Sequence, residues 1–213
     1  MRRRLLLAAG AALASCSLLP QSPYVQRRDW PLDVHRPSVA PRNPRGRVLL
    51  VRTIRAGPGL EDRGMQWLLP DGSVHVDFYE QWAVPPAQAV ENDLRQWLTD
   101  AGLFSAVVAT GSRLNADFVL EGELDAFVAD LNAATGRAAL ALVLLDQRRG
   151  STKVLLQRTE SADVRLAAKE PPAIADAMKA AIVEVLRRTE ADVAAAVRCC
   201  YNTRRPASAT RSR

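Results

Sequence analysis

The sequence predicts an α+β domain, a two-layer sandwich in which two main helices pack on one face of a largely antiparallel or mixed β-sheet. Three observations point there. Residues 117–166 hold three apolar, strand-like runs joined by short turns that carry Gly136 and Gly150, the pattern of an antiparallel meander. Two amphipathic stretches each open on a proline pair, Pro85-Pro86 and Pro171-Pro172, and proline suits a first helical turn because its missing N–H has no intrahelical acceptor there. Val48-Leu49-Leu50-Val51, followed by Ile54, is a continuous apolar run, as expected of a strand buried on both faces. Strands gathered in runs, with helices set apart from them, belong to the α+β class.

The chain opens on Arg2, Arg3 and Arg4, an apolar run over residues 5–13, and the small residues Ala14 and Ser15 before Cys16. A basic region, a short apolar region and a small-residue cleavage site make a secretory signal. The run is too short to cross a bilayer, which takes roughly 20 apolar residues. A cysteine at the cleavage point resembles the lipobox of bacterial lipoproteins. That resemblance implies that the Cys16 thiol carries a diacylglycerol, that residues 1–15 are removed, and that acyl chains hold the protein at a membrane. Ser17 follows, not the aspartate that resembles an inner-membrane retention signal, so the expected place is the periplasmic face of the outer membrane, with anchoring in the inner membrane as the alternative. An ordinary signal peptide ending at a chance cysteine is the alternative. Residues 16–46 then read as a tether, with Pro20, Pro23, Pro31, Pro37, Pro41 and Pro44 and no sustained hydrophobic period. The stretch from Tyr24 to Trp30 is open to packing along the domain.

The formal charge is +6 over 213 residues, 48% of them hydrophobic. Three arginines precede Cys16, and Arg204, Arg205, Arg211 and Arg213 follow Cys199, with no acid in either end. The body between is therefore near neutral and carries no basic cluster interleaved with aromatics, so it lacks the footprint of a nucleic-acid binder. Residues 199–213 read as a basic, disordered tail. Cys199 and Cys200 are neighbours, which rarely bridge each other because of disulfide geometry. No C-x-x-C pair or Cys/His cluster calls for a metal or a thiol redox site, and no cofactor is expected.

Within the domain, residues 47–198, the elements follow in order. After the Val48 run, Gly57-Pro58-Gly59 breaks the chain and lacks the third glycine of a dinucleotide fingerprint. Residues 65–69 and 73–79 form a hairpin across Pro70-Asp71-Gly72, with Val74, Val76 and Phe78 alternating with His75, Asp77 and Tyr79 as in a half-buried strand. A helix runs to Ala101 with Val90, Leu94, Trp97, Leu98 and Ala101 on one face, and Gly102 suits the left-handed position after it. Leu103-Phe104 and Val107-Val108 make another strand. In the first strand of the meander Phe118, Leu120, Gly122, Leu124 and Ala126 share one side, and Glu121, Glu123 and Asp125 the wet one. The last helix lines up Ile174, Met178, Ile182, Val185, Thr189 and Val193.

One stretch is more specific. Val76-Asp77-Phe78-Tyr79-Glu80-Gln81-Trp82-Ala83 runs into Leu94, Leu98 and then Gly102-Leu103-Phe104-Ser105-Ala106-Val107, with Ala116-Asp117-Phe118-Val119-Leu120 and Glu121-Gly122-Glu123-Leu124 beyond. With the lipobox, these resemble the ABC-type transport auxiliary lipoproteins (the PqiC/YmbA-like group). Gln81 stands where that family has arginine, and residues 59–69 match poorly. The resemblance implies a periplasmic, non-catalytic partner of an ABC system whose MCE-domain protein moves lipids or other hydrophobic molecules. A lipoprotein of outer-membrane or cell-wall assembly shares anchor and tether and is the second reading.

Catalysis finds no constellation. The two histidines, His35 and His75, have no nucleophile elbow or metal-binding helix beside them. Gly150-Ser151-Thr152-Lys153 lacks the order of a phosphate loop, and the row Glu121, Glu123 and Asp125 reads as a solvated face. Trp67, Tyr79 and Trp82 are the candidate partner surface, since aromatics carry much interface energy. For Trp82, which follows directly from a buried strand, packing beneath the first helix is the favoured reading, and Trp67, near a hairpin tip, is the better candidate for a partner surface.

Overall fold

The computed structural model describes residues 24–202. Cys16 and the arginine-rich residues 203–213 lie outside that range. The strands are β1 (Arg28–Trp30), β2 (Val48–Val51), β3 (Arg55–Ala56), β4 (Gly64–Leu68), β5 (Val74–Trp82), β6 (Ala106–Ala109), β7 (Phe118–Asp130), β8 (Thr135–Asp146) and β9 (Lys153–Arg165). The helices are α1 (Pro86–Asp100) and α2 (Pro171–Asn202). All nine strands join one mixed sheet, and the α+β class read from the sequence is the one observed.

The sheet is built on β7. One of its edges pairs antiparallel with β8 from Phe118↔Asp146 to Asp130↔Thr135, and β8 pairs antiparallel with β9. Its other edge is shared by three short parallel strands in succession: β2 beside residues 118–120, β3 beside Glu123 and Leu124, and β4 beside Ala129 and Asp130. β6 lies parallel outside β2, and the β4–β5 hairpin carries β1 parallel on its outer edge. The antiparallel meander is therefore only half of the sheet.

The core lies between this sheet and the helices. α2 crosses β9 and β8 while α1 lies over β6 and the near end of β7. Phe118, Leu120, Leu124, Leu140, Leu144, Ile174, Met178, Ile182 and Val185 are sealed between the layers, as the periodicity predicts. One parity differs. A bulge between Leu124 and Ala126 shifts the register with β8, so Phe127 and Ala129 turn inward where alternation had placed Ala126. A bulge adds one residue and so exchanges the faces beyond it. At Gly136 the backbone of α2 rests directly on β8: a Cβ there would stand 2.7 Å from the carbonyl carbon of Ala177 and from the Met178 nitrogen. Gly102, at φ +66°, ends the turn after α1, where a Cβ would also meet the Pro41 carbonyl oxygen.

The tether expected over residues 16–46 is shorter than the sequence implied. From Arg28 onward the chain is a strap built into the domain: β1 joins the sheet, Leu32 and Val34 enter the core, and Ala40 N–H donates to Asp100 O at 2.7 Å. Single apolar residues at irregular spacing leave no period to read, yet each fills a separate hole in a surface already formed. At the other end, α2 continues through Cys199 and Cys200 to Asn202, past the domain end expected at residue 198.

Gly136→Ala should lower stability by about 1–3 kcal/mol, the usual cost of overpacking, read as a shift of the denaturation midpoint at unchanged slope. An unaltered midpoint would mean that α2 does not touch β8 at this glycine.

Candidate docking surfaces

Three buried or half-buried acids hold the strap. The Glu80 carboxylate, 6% exposed, accepts from Arg28 Nε at 2.8 Å and from Trp30 Nε1 at 2.7 Å, tying β1 to β5. Asp93 on α1 accepts the Val34 N–H at 3.3 Å. Glu190 on α2 accepts from Arg36 Nε at 3.0 Å, Arg36 Nη2 at 3.1 Å and Trp97 Nε1 at 2.8 Å, so strap, α1 and α2 meet at one carboxylate. Burial alone raises the Glu190 pKa, but the bonds from Arg36 and Trp97 outweigh it and hold the group ionised below its ordinary value. Asp93 has no such cation in contact. Burial pushes its pKa from 3.8 up to about 7 against the single Val34 N–H bond. Sequence reasoning missed all three acids, because each partner lies 50 residues or more away in the chain.

The face of the sheet opposite the helices forms an open groove of about 1020 Å³ over β3, β7, β8 and β9. Glu121, Glu123 and Asp125 lie in it, as the alternation placed them, together with Thr53, Thr110, Gln157 and Thr159. Arginines from the parallel side neutralise two of the acids: Arg52 Nη1 stands 2.6 Å from Glu121 Oε1 and Arg55 Nη2 2.9 Å from Glu123 Oε2. Burial and then the charge of Glu123 raise the pKa of Asp125. The lining includes no histidine or cysteine. Among the described residues no group of three or more His, Cys, Asp or Glu side chains gathers to hold a metal ion.

The β4–β5 hairpin carries the three aromatics singled out in the sequence, and the structure separates them. Trp82 is 1% exposed, its ring 4.9 Å from Phe127, so it belongs to the core and is withdrawn from the partner surface. Trp67 is half-buried against the core with its Nε1 sealed from solvent, and its ring lies 5.7 Å from His75. Tyr79 alone is open, edge-on to Phe78 at 5.2 Å. The reason is an irregular pairing: between Gln81↔Gly64 and Val76↔Gln66, β5 advances five residues while β4 advances two. Asp77 closes this bulge by accepting the N–H groups of Tyr79 at 2.7 Å and Glu80 at 2.9 Å. Phe78 and Tyr79 stand at its apex, and Val74 and Val76 are also exposed, contrary to the half-buried strand that alternation predicts.

Broad open surfaces, acids paired with arginines and an N-terminal strap locked in place characterise this α+β domain. Among the described residues no helix is long and apolar enough to cross a membrane. The chain belongs to the family described as the ABC-type transport auxiliary lipoprotein component, whose model matches residues 31–189. That match begins inside the strap, in keeping with its place in the domain. Among solved structures, the chain is similar to a Xanthomonas campestris protein of the DUF330 family at 18% identity and TM-score 0.68, over 82% of this chain and 99% of that one. An uncharacterised protein of known structure aligns at 15% identity and TM-score 0.54, over 75% and 95% of the two chains. Both likenesses show the fold. Among functionally curated proteins, none matches the chain.

Two outcomes follow from the acids and aromatics. Because the folded pKa of Asp93 lies above its unfolded value, its contribution to stability is complete below about pH 4 and is lost as pH rises through about 7. Asp93→Asn should remove that slope and raise stability at pH 8 by up to about 4 kcal/mol, at roughly 1.4 kcal/mol per pKa unit; denaturant melts from pH 4 to 8 read it, and an unchanged slope would show that Asp93 is already ionised in the fold. In thermal melts Trp82→Ala should cost about 3–5 kcal/mol, while Tyr79→Ala stays within about 0.5 kcal/mol.

Proposed function

We propose that the protein is a non-catalytic docking subunit of an ABC-type transport system, anchored through acyl chains on Cys16 at the periplasmic face of the outer membrane. Its partner in this reading is the system's MCE-domain protein, and the cargo is lipid or another hydrophobic molecule. The family match across the domain carries the proposal, and the resemblance at the lipobox supports the anchor. The groove supports a non-catalytic role: its carboxylates are spread along a strand and two of the three are matched with arginines, with no nucleophile–base pair among them. Exposed ion pairs of this kind contribute little stability and serve better to set register with a complementary partner. An anchored domain works by raising the local concentration of that partner at the membrane.

The test is crosslinking and pull-down of the full chain from membranes, beside a Cys16→Ala variant. The expected result is recovery of an MCE-domain protein, with membrane association and recovery both reduced in the variant. Recovery of cell-wall or outer-membrane assembly proteins instead would favour the second reading, an envelope-assembly lipoprotein. Unchanged localisation of the variant would remove the anchor.

A further inference from the structure

Exposed apolar side chains are concentrated at one end of the molecule. Of the ten large hydrophobic residues that stand exposed among the described residues, six are Tyr24, Val25, Val74, Val76, Phe78 and Tyr79. Phe78 is 63% exposed, at the apex of the β5 bulge, and the Arg27 guanidinium lies over its ring at 4.2 Å. Phe78 and Val76 border one hollow with Arg27 and Arg63. The helices pack principally over β7, β8, β9 and β6, so among the described residues no helix covers this end.

The chain path says what does. β1 runs parallel to β5 with Arg28 beside Glu80, so the backbone before Arg28 points towards the start of β5 and the hairpin turn. Twelve residue steps separate Arg28, where β1 begins, from Cys16. At no more than 3.3–3.6 Å per step they span at most about 43 Å, the thickness of a bilayer with its headgroups. A domain whose strap is locked from Arg28 onward can therefore stand no farther than about one bilayer thickness from lipids that hold Cys16. The end that the anchor reaches first is the end that presents the aromatics.

We infer that the β5 bulge and residues 24–27 lie against the lipid surface itself, with Phe78, Tyr79 and Val76 at the headgroup boundary. The inference rests on lipidation of Cys16. Tyrosine and phenylalanine suit that depth, where an apolar body meets a polar rim. The Arg27 guanidinium stacked over the Phe78 ring places a cation beside the aromatic at the wet boundary. Glu61, Asp62 and Asp77 face the same hollow as Arg27 and Arg63. Net charge there is close to balanced, so contact depends on apolar burial and is insensitive to salt. The surface orients a domain that the acyl chains already hold, and it leaves the charged groove on β3, β7, β8 and β9 free for a protein.

The test uses the full lipidated chain in vesicles of phosphatidylethanolamine and phosphatidylglycerol with brominated acyl chains, which quench nearby tryptophan. Phe78→Trp is compared with Leu114→Trp, an exposed site before the opposite end of β7. The emission added at position 78 should be largely lost and that at 114 retained, at low and high salt alike. Equal emission at both sites, or quenching at 114 alone, overturns the inference. So does a photoreactive residue at position 78 that crosslinks in cells to one protein and not to lipid. Mass spectrometry of the N-terminal peptide separates the two failures: an unmodified Cys16 sinks the anchor and this orientation with it, whereas a lipidated Cys16 with no quenching at 78 sinks the orientation alone.

Discussion

The backbone pairing along β7 is the interaction on which the rest of the structure depends. Its twelve pairs with β8, broken once by the bulge at Asp125, satisfy one edge. The other edge is met by three strands too short to be stable by themselves. Buried backbone groups must find partners, so β2, β3 and β4 are held in parallel register by a strand that comes later in the chain. These long-range parallel contacts close large loops. The local meander can form first and template them, an order consistent with the preference for local contacts early in folding.

With the sheet in place, the strap is fixed from a different principle. Glu80, Asp93 and Glu190 each receive donors from residues 28–36, and each does so where the apolar residues Trp30, Leu32 and Val34 have already excluded water. Low dielectric strengthens such bonds and penalises their loss. Glu190 is charged and paired, whereas burial raises the pKa of Asp93, two outcomes of the same competition between desolvation and a neighbouring cation. The result is that the N-terminus of the domain leaves from a defined place, next to the β5 bulge.

In the proposed reading, that geometry divides the surface between two kinds of partner. The helix-free groove offers alternating charge suited to a protein of complementary sign. The hairpin end offers exposed aromatics close to the chain that leads to Cys16. A subunit that serves a membrane-linked transport system can then be oriented by one surface and recognised by the other.

The residues alone determined the class of fold, the positions of both helices and the meander, because each is a local period: 2.0 along strands and 3.6 along helices. They also determined the acidic row of β7 and the lipobox resemblance, both local patterns. Only the tertiary structure decided that the sheet is half parallel, that the strap belongs to the domain, and that Trp82 is core while Phe78 is surface. The physical reason is shared by all three. Alternation says which residues lie on one side of a strand, but not which side a helix will cover, and bulges such as those at Asp77 and Asp125 exchange the sides without a mark in the hydrophobic pattern.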